Sequence, residues 1–185
     1  MPLRNTRQAY GALAQTAHWA TALFIVAAWS LGQFRDLLPR GAARETALFA
    51  HISLGVAIFL LVALRVLWRA FDPPPPAIVA DRFEPWLGLG AKAGHLLLYA
   101  LMIATPVCGI VMQFARGHAL PVFGLFDIPS PWAADRAFGR EMFQFHSLAA
   151  DALGIVAAGH AAAALFHHWA LRDRTLARML PGLAR

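Results

Sequence analysis

Four of the eight histidines fall within one apolar stretch, MFQFHSLAADALGIVAAGHAAAALFHHWAL, residues 142–171. They are His146, His160, His167 and His168, and Asp151 is the sole charged residue between Glu141 and Arg172. The stretch exceeds the roughly 20 apolar residues that cross a bilayer at about 1.5 Å per residue. A histidine at membrane depth is costly, which makes each a functional candidate. As a helix, His146 and His160 are about four turns and 21 Å apart, and His160 and His167 about two turns, so the three share a face. One zinc ion cannot take ligands about 21 Å apart when its bonds are about 2 Å long. Two stacked cofactors can, if each histidine pairs with one from another helix. A b-type haem needs two imidazoles, one on each side of a flat macrocycle, and helix bundles supply such ligands from facing helices. Two other readings stand beside it. The histidines would then hydrogen-bond between helices or anchor at the interface, or they would serve a metal transporter, for which Asp151 is the one acidic group in the span.

The chain has 185 residues, 59% hydrophobic and 14% charged, with mean hydropathy +0.54. A soluble domain has nearer 45–50% apolar and about 25% charged residues. Composition therefore predicts an integral membrane protein, a single domain over residues 1–185. The net charge is +6 but no basic block is present, so no nucleic-acid partner is expected. The single cysteine, Cys108, excludes an intrachain disulfide, a CxxC metal site, a Cys-ligated iron–sulfur cluster and CxxCH haem attachment. Arg4 and Arg7 precede a long apolar run without a short h-region and cleavage site, so the first segment is expected to be retained.

Hydropathy predicts helices over 12–34, 46–67, 92–115 and 142–171. His18 lies near the start of the first, His51 inside the second and His95 near the start of the third. The prolines of FDPPPPAIVADRFEPW, residues 71–86, predict a stiff connector. Pro106 predicts a kink in the third helix. Residues 116–140 read as a loop unusually apolar for its exposure, able to lie over the end of the bundle. No internal repeat stands out.

Four helices place both termini on one side. That side carries ten basic residues: Arg4, Arg7, Arg65, Arg69, Arg82, Lys92, Arg172, Arg174, Arg178 and Arg185. The other carries six, Arg35, Arg40, Arg44, Arg116, Arg136 and Arg140, so the positive-inside rule makes the termini cytoplasmic. The alternating helix directions then give two level pairs: His18 with His160 toward the cytoplasm, and His51 with His146 toward the outer face. Gly154, Ala157, Ala158 and Gly159 leave room for a ring. His95 and His167 lie near the cytoplasmic surface, where they would flank a cofactor edge and pass protons to a quinone, or, with Trp68 and Trp169, anchor the interface. Arg35, Arg40 and Arg44 would attract a small anion, or serve topology and lipid contact. Asp151, about 140° around the helix from His146, is off the ligand face. It would make a polar contact to another helix.

The runs AHWATALFIVAAW, FAHISLGVAIFLLVALRVLWR, AGHLLLYALMIATPVCGIVM, RGHALPVFGL, FHSLAADALGIVAAGHAAAALFHHW and DRTLARMLP resemble the bacterial cytochrome b561 family, within it the enterobacterial superoxide-oxidising branch. The resemblance covers nearly the whole chain. It implies an all-α integral membrane four-helix bundle of the bacterial inner membrane, multi-pass, holding two b haems. The implied iron ligands are His18 with His160 and His51 with His146, and the implied quinone region lies around His95 and His167. It further implies oxidoreductase activity, electrons passing from periplasmic superoxide to ubiquinone. Lys92 departs from the family pattern, as does most of the 116–140 loop beyond RG and FGL. A non-enzymatic carrier that links a dehydrogenase or a soluble redox partner to the quinone pool is the alternative. An apolar outer face would meet membrane lipid or a second copy of the chain.

Overall fold

Charges, glycines and prolines punctuate the apolar runs, and the helices stop where they do. The computed structural model describes residues 2–76, 78 and 86–181. Within them the order is α1 (Ala12–Phe34), a 3₁₀ turn at Arg35–Leu37, α2 (Ala42–Phe71), α3 (Trp86–Ala115), β1 (Leu120–Val122), β2 (Phe126–Ile128), α4 (Arg136–Trp169) and a 3₁₀ turn at Ala177–Met179. Four helices among the described residues are long and apolar enough to cross a membrane. The fold is an all-α, multi-pass membrane bundle with one small hairpin attached.

Three helices differ from the hydropathy expectation at their ends. Hydropathy reports membrane depth, whereas helix ends follow backbone chemistry. α4 begins at Arg136, not 142, because Asp135 Oδ1 accepts hydrogen bonds from the Ala137 and Phe138 N–H groups at 2.9 and 3.0 Å, as an N-cap does. It ends at Trp169, not 171, and Leu171 N–H folds back to Phe166 O. α2 begins at Ala42, just after Gly41, whose φ of 99° is a conformation that favours glycine. It runs to Phe71, where Asp72 and the prolines after it end it. α3 begins at Trp86, six residues before the expected 92, and continues through Pro106. Half of the proline connector, with Arg82, lies outside the described residues, as does Arg185.

The 116–140 segment holds a β-hairpin rather than an irregular loop. Leu120 pairs with Ile128, Pro121 with Asp127 and Val122 with Phe126. Its turn has positive φ at both central residues, Phe123 (54°) and Gly124 (72°), and Leu125 N–H donates to Val122 O at 3.0 Å. That is the turn whose twist suits a hairpin.

α1 packs mainly on α2 and α3 mainly on α4; α2 and α3 touch less, and α1 and α4 least. Ala28, Ile58, Val62, Met102 and Leu153 form the buried apolar cluster. On α2 and α4 its members Ile58, Val62 and Leu153 lie between the two histidine levels. In the most apolar windows only 17% of residues are buried in α1, α2 and α3, and 6% in α4. The outward faces, with Leu23, Leu64, Leu96, Leu148 and Ile155 exposed, are surface for lipid.

Candidate haem and quinone sites

The His51–His146 pair is built by two helix pairs in the same manner. His51 on α2 donates from Nδ1 to Ala28 O on α1, at 2.8 Å. His146 on α4 donates from Nδ1 to Thr105 O on α3, also at 2.8 Å. A carbonyl only accepts, so Nδ1 carries the proton and Nε2 keeps its lone pair. This is the arrangement by which a metal-ligating histidine is oriented through its other nitrogen. Glycine makes each approach feasible. A Cβ at Gly32 would come to 3.3 Å of His51 Cε1, and one at Gly109 to 3.1 Å of His146 Cε1 and Nδ1. The two rings stand with centroids 5.9 Å apart. They line an open-sided cleft, bounded also by Ile25, Trp29, Gly55 and Pro106. A Cβ at Gly55 would meet nothing within 4 Å.

At the level nearer the termini the ring centroids of His18 and His160 are 6.2 Å apart. Two imidazoles that bind one iron from opposite sides at about 2 Å each have centroids roughly 6 Å apart. Both pairs meet that requirement, and the His51–His146 pair lines an open-sided cleft. The residues present therefore fit haem iron. Among the described residues, no group of three or more His, Cys, Asp or Glu is arranged to hold a bare metal ion.

His95 and His167 are not brought together. The His95 ring lies 5.3 Å from that of His160, so His160 has two imidazole neighbours. His167 Nδ1 instead meets Asp173 Oδ2 at 2.5 Å, in the tail. Sequence spacing placed both histidines at one depth, but depth does not fix which way a ring turns. Burial raises the Asp173 carboxyl, but hydrogen bonds from His167 and from Thr175 outweigh it and hold the group below its ordinary range. His168 is exposed beside Trp169, and Lys92 is exposed near the start of α3.

Sequence reasoning left Asp151 without a partner. The structure supplies one: Oδ1 accepts from Gln33 Nε2 at 2.7 Å and from Trp29 Nε1 at 3.4 Å, tying α4 to α1. Arg35 and Arg44 both reach Asp36, at 3.4 and 3.5 Å, and Arg44 also donates to the carbonyls of Asp36 and Leu38. They brace the α1–α2 loop.

A further cluster escaped the sequence reading because it has no local signature. Arg178, 7% exposed, donates from Nε to Gln8 O, from Nη1 to Pro76 O and from Nη2 to Arg7 O. Gln15 and Trp19 donate to the Arg178 and Met179 carbonyls. Buried Asp72 accepts from Asn5 N–H and Trp68 Nε1. These bonds clasp the N-terminal segment, the end of α2 and the tail over the end of the bundle that carries the N-terminal segment and the tail.

A family model described as Prokaryotic cytochrome b561 matches residues 9–182. The chain is similar to Cytochrome b561 homolog 2 of Escherichia coli (strain K12), with 32% identity over 181 residues, 97% of this chain and 95% of the relative. It is similar to the Probable superoxide oxidase CybB of Yersinia pestis, with 34% identity over 172 residues, 93% of this chain and 96% of the relative. Similarity to Cytochrome b562 of Cereibacter sphaeroides is 27% over 180 residues, 92% and 94% of the two chains. With four membrane-length helices and this span of agreement, the chain belongs to the prokaryotic cytochrome b561 family of b-haem membrane cytochromes.

Proposed function

We propose that the chain is a dihaem cytochrome of the bacterial inner membrane that moves electrons from periplasmic superoxide to ubiquinone. The observation that carries this reading is the pair of level imidazole couples, 6.2 and 5.9 Å between centroids, on four different helix positions of one bundle. His51 and His146 would hold the outer haem, His18 and His160 the inner one. Haem, when bound, supplies one-electron redox chemistry. The protein's part is to hold Nδ1 protons on Ala28 O and Thr105 O, so that Nε2 is the ligand nitrogen, and to keep the space between the levels apolar. His95, against His160, and His167, held by Asp173, are the residues we assign to the quinone end, where a reduced quinone takes up protons. The relative from Yersinia pestis named as a probable superoxide oxidase supports the donor.

A second reading has its own observation. Arg35 and Arg44 share Asp36, and Arg44 also donates to loop carbonyls, which supports a role for them in bracing the α1–α2 loop. A cytochrome that accepts electrons from a dehydrogenase or a soluble redox partner would not need them to attract an anion. Purified oxidised protein separates the two readings. The b-haem spectrum and haem-to-chain ratio come first, then a superoxide pulse with and without ubiquinone. Two haems reduced by superoxide and reoxidised by ubiquinone support the oxidase. Two haems that ignore superoxide but equilibrate with quinol leave the carrier. Absence of haem sinks both.

A further inference from the structure

The two helical hairpins carry one constellation twice. On α1, His18, Ala28 and Gly32 follow one another at intervals of ten and four residues, and on α3 His95, Thr105 and Gly109 repeat those intervals. On α2, Arg65 follows His51 by 14 residues; on α4, His160 follows His146 by 14. Contacts match as well as spacing. Ala28 O and Thr105 O each accept from the histidine of the following helix at 2.8 Å. A Cβ on the glycine one turn further would press on that same ring in each half. α1–α2 and α3–α4 are thus a pseudo-two-fold repeat that hydropathy concealed, since only a few of the matched residues are identical.

The repeat assigns a counterpart to each inner histidine. His18 answers to His95, and His160 answers to Arg65. A 14-residue interval keeps Arg65 within about 40° of the face of α2 that carries His51. Its charge reaches His18, His95 and His160. Its guanidinium carbon lies 5.9 Å from the Tyr99 ring centroid, and Tyr10 is also within electrostatic reach, so both tyrosines of the chain attend it. Among the described residues it makes no hydrogen bond and no ion pair, although it is only partly exposed. A partly buried guanidinium is costly until an acceptor pairs with it, and its donor fork suits a planar oxyanion.

We propose that Arg65, with His95 beside it, forms an oxyanion subsite next to the His18–His160 pair. The shared chemistry is a negatively charged oxygen, and it has two sources: a propionate carboxylate of the haem held there, or the oxygen of a quinone under reduction. The inference rests on the reading of His18 and His160 as haem ligands.

The test uses the full chain, wild type and as Arg65→Gln, Arg65→Lys and Arg40→Gln, loaded with haem ¹³C-labelled at its propionate carboxyls. Three quantities are read: the labelled carboxylate band in the redox-difference infrared spectrum, the inner midpoint potential, and KM for a short-chain ubiquinone. A propionate source predicts that Arg65→Gln shifts the labelled band. It also predicts an inner site about tenfold harder to reduce, ~59 mV for one electron. Arg40→Gln, an exposed charge in the α1–α2 loop, should leave the band in place. A quinone source predicts an unmoved band and potential with KM raised about tenfold. An Arg65→Gln protein that keeps two haems, with band, potential and KM all as wild type, overturns the subsite. Should that variant fail to assemble, Arg65→Lys retains the charge without the fork, and wild-type behaviour in all three readings overturns the subsite equally. Wild-type protein lacking an inner haem overturns the ligand reading first and the subsite with it, so the two failures are distinguishable.

Discussion

A single imidazole nitrogen decides much at the His51–His146 level. His51 and His146 spend Nδ1 on carbonyls of neighbouring helices, which leaves one nitrogen each for a metal. His51→Ala or His146→Ala should lower haem per chain from two to one, with the inner haem retained; a pyridine haemochrome assay on purified variants checks it. Two haems in either variant would mean the pairing is wrong. Gly109→Ala tests the same ring more gently. Its Cβ would sit 3.1 Å from His146 Cε1 and Nδ1, so the ring must turn and the bond to Thr105 O weaken. Loss of such an orienting bond typically costs 10–100-fold in metal affinity. Haem titration should show that loss at one of two sites. Gly90→Ala, where the added Cβ meets nothing within 4 Å, should bind haem as wild type does.

Elements are tied at the cytoplasmic-facing end of our proposed topology by bonds that no helical pattern announces. Arg178 serves three carbonyls from two separated segments. Arg178→Ala should destabilise the chain by about 2 kcal/mol or more, since buried acceptors would lose a charged donor. Thermal unfolding in detergent reads this, with faster proteolysis of the N-terminal segment and the tail. Tail docking also has a pH signature. The Asp173 carboxyl is held below its unfolded value of 3.8 by His167 and Thr175, which outweigh burial. A depressed carboxyl adds stability that is complete well above pH 3.8 and fades as the pH falls below it toward the folded value. Tail proteolysis should therefore rise below about pH 4 in the wild type, and Asp173→Asn should show faster proteolysis at neutral pH with that acid-side rise flattened. A wild-type tail equally protected at pH 3 and pH 6 would contradict the argument.

For the molecule as a whole, the apolar surface and the basic residues set its place in the bilayer. Helices that bury so little of their apolar length against one another have lipid as their remaining partner, and packing rather than hydrophobicity must hold them together. The excess of Lys and Arg on the side of the termini gives the proposed orientation. A green fluorescent protein fused after residue 185 should fluoresce, and alkaline phosphatase inserted at Leu125, the exposed hairpin tip, should be active. The opposite pattern would invert the molecule and exchange the outer and inner levels.

Much of this protein was legible without coordinates. Four apolar runs fix four spans because a bilayer admits only internally hydrogen-bonded segments, and alternating direction assigns each histidine a depth. The resemblance named the family that the comparisons then showed. What depth cannot give is azimuth and partner. Those depend on how helices rotate and on contacts between residues far apart in the chain. Only the folded chain set His95 against His160 and His167 against Asp173, or gave Asp151 its bond to Gln33. It also decided that residues 120–128 form a hairpin, that Arg178 clasps the inner end, and that Arg65 stands where the other half of the molecule has a histidine. Each of these is a long-range choice among groups of equal depth or equal hydropathy, and one-dimensional pattern carries no term that distinguishes them.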